Sequence, residues 1–166
     1  MTLTLLDRPG GTGPADAGGP NAGQREDAPP APVAAAQPDD TSRPPSRVLV
    51  VDDTSVIRRE IRALLEDAGL TVVGEAAHGA EGVALARELR PDVVVMDIRM
   101  PILDGIAATS HITQDLPGTR VIMFSAFDDQ DLRDLARAAG ASRFLSKSSP
   151  PWAITDAVRD AASGDG

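Results

Sequence analysis

Asp52 and Asp53 end the stretch RVLVVDD, Asp97 ends PDVVVMD, Ser125 ends RVIMFS and Lys147 follows SRFLS. Each comes directly after a short apolar run, and their side chains could do chemistry together. Three carboxylates brought close repel one another, and protonation or a cation must offset that repulsion. Oxygen-only ligands with water available suit a hard cation, and Mg²⁺ usually takes one or two carboxylates plus waters and phosphate. A hydroxyl and an ammonium opposite would complete a site for a phosphoryl group, whose transfer depends on positioning and charge neutralisation. Lys147 is the only lysine among 16 Lys and Arg residues. It is a compact, flexible point charge in a chain that otherwise uses arginine.

The elements that must position these residues alternate regularly from Arg47 onward. RVLVV, TVVGEAA, DVVVM, RVIMF and SRFLS read as strands. Between and after them, TSVIRREIRALLEDAG, GAEGVALARELR, GIAATSHITQDL, DDQDLRDLARAAG and SPPWAITDAVRDAAS read as helices. In the first helix Thr54 is the expected N-cap, apolar residues fall at 57, 61, 64, 65 and 68, and Gly69 is the stop. The last helix carries Pro near its first turn. Five βα units in series imply an α/β fold, a doubly wound parallel sheet with helices on both faces and right-handed crossovers. With strand order 2-1-3-4-5, a flavodoxin-like three-layer sandwich, ligands bind beyond the C-terminal strand ends at the switch point. The acidic residues after the first and third strands would then share one cleft.

Composition narrows the function. Aromatic residues are 2% of the chain and the formal net charge is −9, which argues against base stacking and against electrostatic binding of nucleic acid. Without cysteine there are no disulfides, thiolate metal sites or catalytic thiols. No run of roughly 18 apolar residues suggests a membrane span, and the N-terminus lacks the basic and apolar regions of a signal peptide. The expected location is the cytoplasm. Residues 1–45 are rich in Pro, Gly and Ala and are expected to be a disordered tail. A tether and a plain solubilising extension are both open for it. Residues 46–163 are expected to form the domain.

The stretches VLVVDD, VVVMDIRMPILDG, VIMFSA and FLSKSS together resemble the receiver domain of bacterial two-component response regulators, a CheY-like fold. The resemblance is strongest to receivers that usually precede a LuxR/NarL-type helix-turn-helix. It implies that Asp97 is the phosphoacceptor, that Lys147 pairs with the phosphoryl oxygens and that Ser125 hydrogen-bonds one of them. It implies Mg²⁺ on Asp53, Asp97 and the backbone carbonyl of Arg99, with Asp52 acting mostly through water. Phe144 would be the aromatic that turns inward on activation. Met100 and Pro101 would shape the loop after the acceptor, and Gly105 would open the third helix. The implied partners are a histidine kinase or phosphotransfer protein as donor and a downstream protein as target. A homodimer through the fourth-helix to fifth-helix face is permitted.

The sequence also departs from the family pattern. Ser148 stands where many members have Pro, Phe144 replaces a common Tyr, and Arg99 puts a bulky cation near the path of hydrolytic water. No basic recognition helix follows the last helix, so no direct contact with nucleic acid is expected. Two other classes stay open. One is a phosphatase with an aspartyl-phosphate intermediate, although such enzymes usually carry an acid where Arg99 stands. The other is a receiver-shaped binding module that works without phosphorylation. His78, His111 and Trp152 are read as surface or locally packed residues.

Overall fold

The structure is a computed structural model that describes residues 44–164; residues 1–43 of the expected tail lie outside the described residues. Five strands and five helices alternate. The first pair is β1 (Arg47–Val51) and α1 (Ser55–Asp67), followed by β2 (Thr71–Ala76) and α2 (Gly79–Leu89). Then come β3 (Val93–Met96), α3 (Gly105–Asp115), β4 (Arg120–Ser125), α4 (Gln130–Ala138), β5 (Arg143–Ser146) and α5 (Pro151–Ser163). The strands form one parallel sheet, as the alternation of elements predicts, in the order β2-β1-β3-β4-β5 expected for a CheY-like fold.

The continuous apolar strands serve two cores at once, because successive side chains point to opposite faces. Leu49, Val51, Val94 and Met96 join Ala86, Ala108 and Ile112 on the face covered by α2, α3 and α4. Val48, Val50, Val93 and Val95 join Ile61, Leu65, Ile154 and Val158 on the face covered by α1 and α5. Burying each of these Val, Leu, Ile and Met side chains contributes about 1.5–3 kcal/mol.

Several boundaries differ from the sequence expectation. Thr54 takes the N-cap position of α1, but its side chain makes no cap hydrogen bond. Its hydroxyl instead lies 3.3 Å from Asp53 Oδ1. Asp128 and Asp129 precede α4 and do not belong to it: Asp129 is the cap that accepts from the Leu132 N–H at 2.9 Å, and Asp128 pairs with Arg133 at 2.6 Å. A short acceptor side chain satisfies an orphan amide best from just outside the helix. Arg90 lies beyond α2 as its left-handed C-cap, at φ 46°. Trp152 is largely exposed, on the first turn of α5.

Candidate functional site

The C-terminal ends of β1 and β3 lie side by side, with Val51 opposite Met96. The next residues on both strands therefore leave the sheet together. The Asp97 N–H extends the ladder by donating to the Val51 carbonyl at 2.8 Å. Asp52, Asp53 and Asp97 each bring a carboxylate oxygen within 4.8 Å of the others. Asp52 and Asp97 are buried and Asp53 is exposed. Lys147 reaches the cluster from the end of β5, where its N–H donates to the Ser125 carbonyl at 2.7 Å. Its Nζ lies 2.6 Å from Asp52 Oδ2 and 3.2 Å from Asp97 Oδ1.

Each acid is held differently. Asp52 is committed at both oxygens: Oδ1 accepts from the Thr54 N–H at 2.8 Å and Oδ2 from Lys147. Asp97 is committed at one. Its Oδ1 accepts from the Ile98 N–H at 2.9 Å and faces Lys147, while Oδ2 has no hydrogen-bond partner among the described residues. Burial pushes the Asp97 carboxyl above the ordinary range; the Lys147 ammonium opposes this, and the charge of Asp52 adds to it. Burial works against the Lys147 ammonium too. There the Asp52 hydrogen bond and the Asp97 charge outweigh it and hold the pKa above the usual lysine value.

The donor set can accommodate a metal ion. Three carboxylates face one ammonium, which leaves a formal excess of negative charge on oxygen donors alone, as a hard divalent cation requires.

Ser125 is the last residue of β4 and is buried. Its Oγ accepts from the Phe127 N–H at 3.1 Å. Phe144, on β5, is half-buried against the α2/α3/α4 core, with the Arg133 guanidinium 4.8 Å over its ring. Arg99 stacks on Phe127, its guanidinium 3.9 Å from the ring centroid. That stack joins the loop after β3 to the loop after β4 beside a cleft of about 730 Å³, lined by Asp53, Arg99, Met100, Ile106 and Leu135. The loop after β3 makes a tight turn: the Leu103 N–H donates to the Pro101 carbonyl at 2.8 Å, with Ile102 at φ 71°. This is the rare, strained γ-turn region for an L residue. Gly105 then opens α3 with its N–H on the Ile98 carbonyl at 2.8 Å.

Sequence reasoning missed two members of this neighbourhood. Phe127 is the surface on which Arg99 rests. Arg58, on α1, donates from Nη1 to the Asp52 carbonyl at 2.6 Å and from Nε to Glu75 Oε2 at 3.4 Å. The available signal for Arg58 was weak: two arginines four apart on α1, Arg58 and Arg62, and a glutamate inside an apolar strand, Glu75.

A family model described as the response regulator receiver domain matches residues 48–159. The transcriptional regulatory protein LiaR of Bacillus subtilis (strain 168) is 42% identical over 120 residues, covering 72% of this chain and 57% of the relative. The transcriptional regulatory protein PdtaR of Mycobacterium tuberculosis (strain ATCC 25618 / H37Rv) is 40% identical over 114 residues, covering 69% of this chain and 54% of the relative. The chain thus spans about half the length of these curated relatives. Among solved structures, a LuxR-family two-component response regulator from Aurantimonas sp. SI85-9A1 superimposes with a TM-score of 0.70 at 37% identity, over 72% of this chain and 86% of that one.

Proposed function

This chain belongs to the response regulator receiver domain family, and from that premise we propose that it takes a phosphoryl group onto Asp97 from a histidine kinase or phosphotransfer protein. The observation that carries the assignment is the asymmetry of the Asp97 carboxylate. Oδ1 is fixed by the Ile98 N–H and Lys147, and Oδ2 is left as the nucleophile. The Oδ2–P bond forms as the P–N bond of the donor phosphohistidine breaks, and the donor imidazole, already protonated at its other ring nitrogen, takes the P–N electron pair and leaves as the neutral ring. The product is an acyl phosphate, which adds negative charge and three acceptor oxygens beside Lys147 and Ser125.

Mg²⁺ held by Asp53, Asp97 and the Arg99 carbonyl, with Asp52 acting mostly through water, would offset charge on the transferring phosphoryl group. Lys147 supplies the opposite charge from the β5 side. The Ser125 hydroxyl exchanges its place as acceptor of the Phe127 N–H for a hydrogen bond to a phosphoryl oxygen. Phe144 then turns inward and changes the surface of α4, β5 and α5, a local charge event that biases a two-state element. A downstream protein reads that surface. This reading places the chain in the cytoplasm, as a phosphoacceptor that catalyses its own phosphorylation and dephosphorylation.

Incubation with acetyl phosphate tests the reading. Mg²⁺-dependent uptake of one phosphoryl group, abolished by EDTA, is expected. Steady turnover of unrelated phosphoesters would support a phosphatase instead.

The Arg99–Phe127 stack walls one side of the approach to Asp97. Arg99→Asn removes the guanidinium from that wall and gives water easier access. The phosphorylated variant is therefore expected to lose its phosphoryl group severalfold faster once the donor is removed. A decay rate equal to that of the wild type would exclude a role for the Arg99 side chain in phosphoryl lifetime.

A further inference from the structure

Arg58 lies outside the stretches that carry the family resemblance, yet it has a place in the site. Its side chain is 17% exposed and lies behind the acidic cluster, between α1 and β2. Nη1 donates to the Asp52 carbonyl at 2.6 Å, and Nε faces Glu75 Oε2 at 3.4 Å. Glu75 is held in turn by Arg62 at 3.0 Å, and Arg62 by Glu66 at 2.9 Å. A ladder of charges thus runs from the exposed face of α1 to the backbone of the acidic pair.

The bond to Asp52 matters because of what that carbonyl belongs to. The Asp52 carbonyl and the Asp53 N–H form one rigid peptide plane. The Asp52 N–H still pairs with β2, at the Ala76 carbonyl. The Asp52 carbonyl instead takes its hydrogen bond from Arg58. A buried carbonyl needs such a partner, and a charged donor makes the bond stronger than an amide would. Asp53, on the far side of the plane, is the exposed acid. Among the described residues its carboxylate meets only the Thr54 hydroxyl, at 3.3 Å. Its direction therefore depends on the backbone that carries it.

We infer that Arg58 is a positioning residue for the metal-binding acids: it fixes the Asp52–Asp53 peptide plane and so aims the Asp53 carboxylate into the cluster. The inference rests on the proposed Mg²⁺ site. It predicts that Arg58 governs metal affinity without touching the metal, as outer partners of metal ligands do. It also predicts an effect without metal. The Thr54 N–H closes a turn onto Asp52 Oδ1 at 2.8 Å, across the same plane, and a plane free to rotate opens that turn.

The test is calorimetric titration of the full chain with Mg²⁺ alone, beside amide hydrogen exchange at Thr54 in metal-free protein. Arg58→Gln is expected to raise the Mg²⁺ dissociation constant about tenfold and to speed Thr54 exchange. Arg58→Lys keeps the charge but cannot bridge the carbonyl and Glu75 together, so both effects are expected at an intermediate size. Arg62→Gln, one step further out, should leave both unchanged. A folded Arg58→Gln protein that melts lower yet binds Mg²⁺ like the wild type would reduce Arg58 to a structural clamp and overturn the inference. If Arg58→Gln does not fold, Arg58→Lys decides, and wild-type affinity there overturns it equally. If the wild type itself takes up no Mg²⁺, the proposed metal site fails. Thr54 exchange then still judges the positioning claim, and exchange unchanged by either Arg58 variant rejects it.

Discussion

Asp97→Asn is expected to gain stability while losing all phosphoryl uptake. The loss follows from removing the nucleophilic oxygen. The gain follows from burial. Asp97 is 6% exposed, and its carboxyl is held above the ordinary range chiefly because the ionised form is poorly solvated there. A folded-state pKa above the unfolded value means that the group's stabilising contribution is complete below the unfolded pKa, about 3.9 for Asp. That contribution is lost as pH rises through the folded value. Above that folded value the metal-free wild type carries the cost of a buried, ionised Asp97, and the asparagine variant carries none of it. Thermal melts without metal should therefore place Asp97→Asn above the wild type at neutral pH, with the gap closing as pH falls towards the ordinary carboxylate range. Saturating Mg²⁺ should narrow the gap from the other side, because a ligand that binds only the folded wild type stabilises it by mass action. A variant less stable than the wild type at neutral pH, without metal, would mean that the Lys147 contact outweighs burial.

The second large effect is expected at Gly105. A Cβ there would collide with the backbone carbonyl of Asp97 and crowd the Ile98 Cα. Neither atom belongs to a flexible side chain that could swing aside. The start of α3 must lie this close because the Gly105 N–H bonds the Ile98 carbonyl at 2.8 Å, which closes the loop after β3. Gly105→Ala forces that loop and the Asp97 backbone apart, and overpacking of this kind costs about 3 kcal/mol. On a domain of this size the melting temperature should fall by about 10 °C. Gly118→Ala is the control, since a Cβ there meets nothing within 4 Å, and it should melt close to the wild type. Equal melting of the two variants would show that the approach of α3 to Asp97 is not tight in solution.

Much of this was legible before any coordinates. Strand and helix order came from the alternation of short apolar runs with helical periods. That alternation placed Asp52, Asp53, Asp97, Ser125 and Lys147 at the strand ends where a parallel sheet gathers its ligands. Convergence of the acids required only that β1 and β3 be neighbours. What could not be read were contacts set by side-chain direction across loops. Arg99 reads from the sequence as a cation near the path of hydrolytic water, but what its guanidinium rests on, Phe127 on a different loop 28 positions on, cannot be read there. Arg58 reads as one more polar residue on α1 until β2 brings Glu75 behind it. The start of α4 was misplaced for a simpler reason: Asp128 and Asp129 suit a first turn by charge, but a capping carboxylate works from outside the helix.

The central claim is that Asp97 becomes an acyl phosphate, and mass-spectrometric mapping tests it most directly. The full chain would be treated with acetyl phosphate and Mg²⁺, digested, and examined with and without hydroxylamine, which cleaves acyl phosphates. A single hydroxylamine-labile phosphoryl group on the peptide carrying Asp97, absent from Asp97→Asn, is the predicted result. A phosphoryl group on another residue, or none under conditions where the wild type is folded and Mg²⁺ is bound, would contradict it.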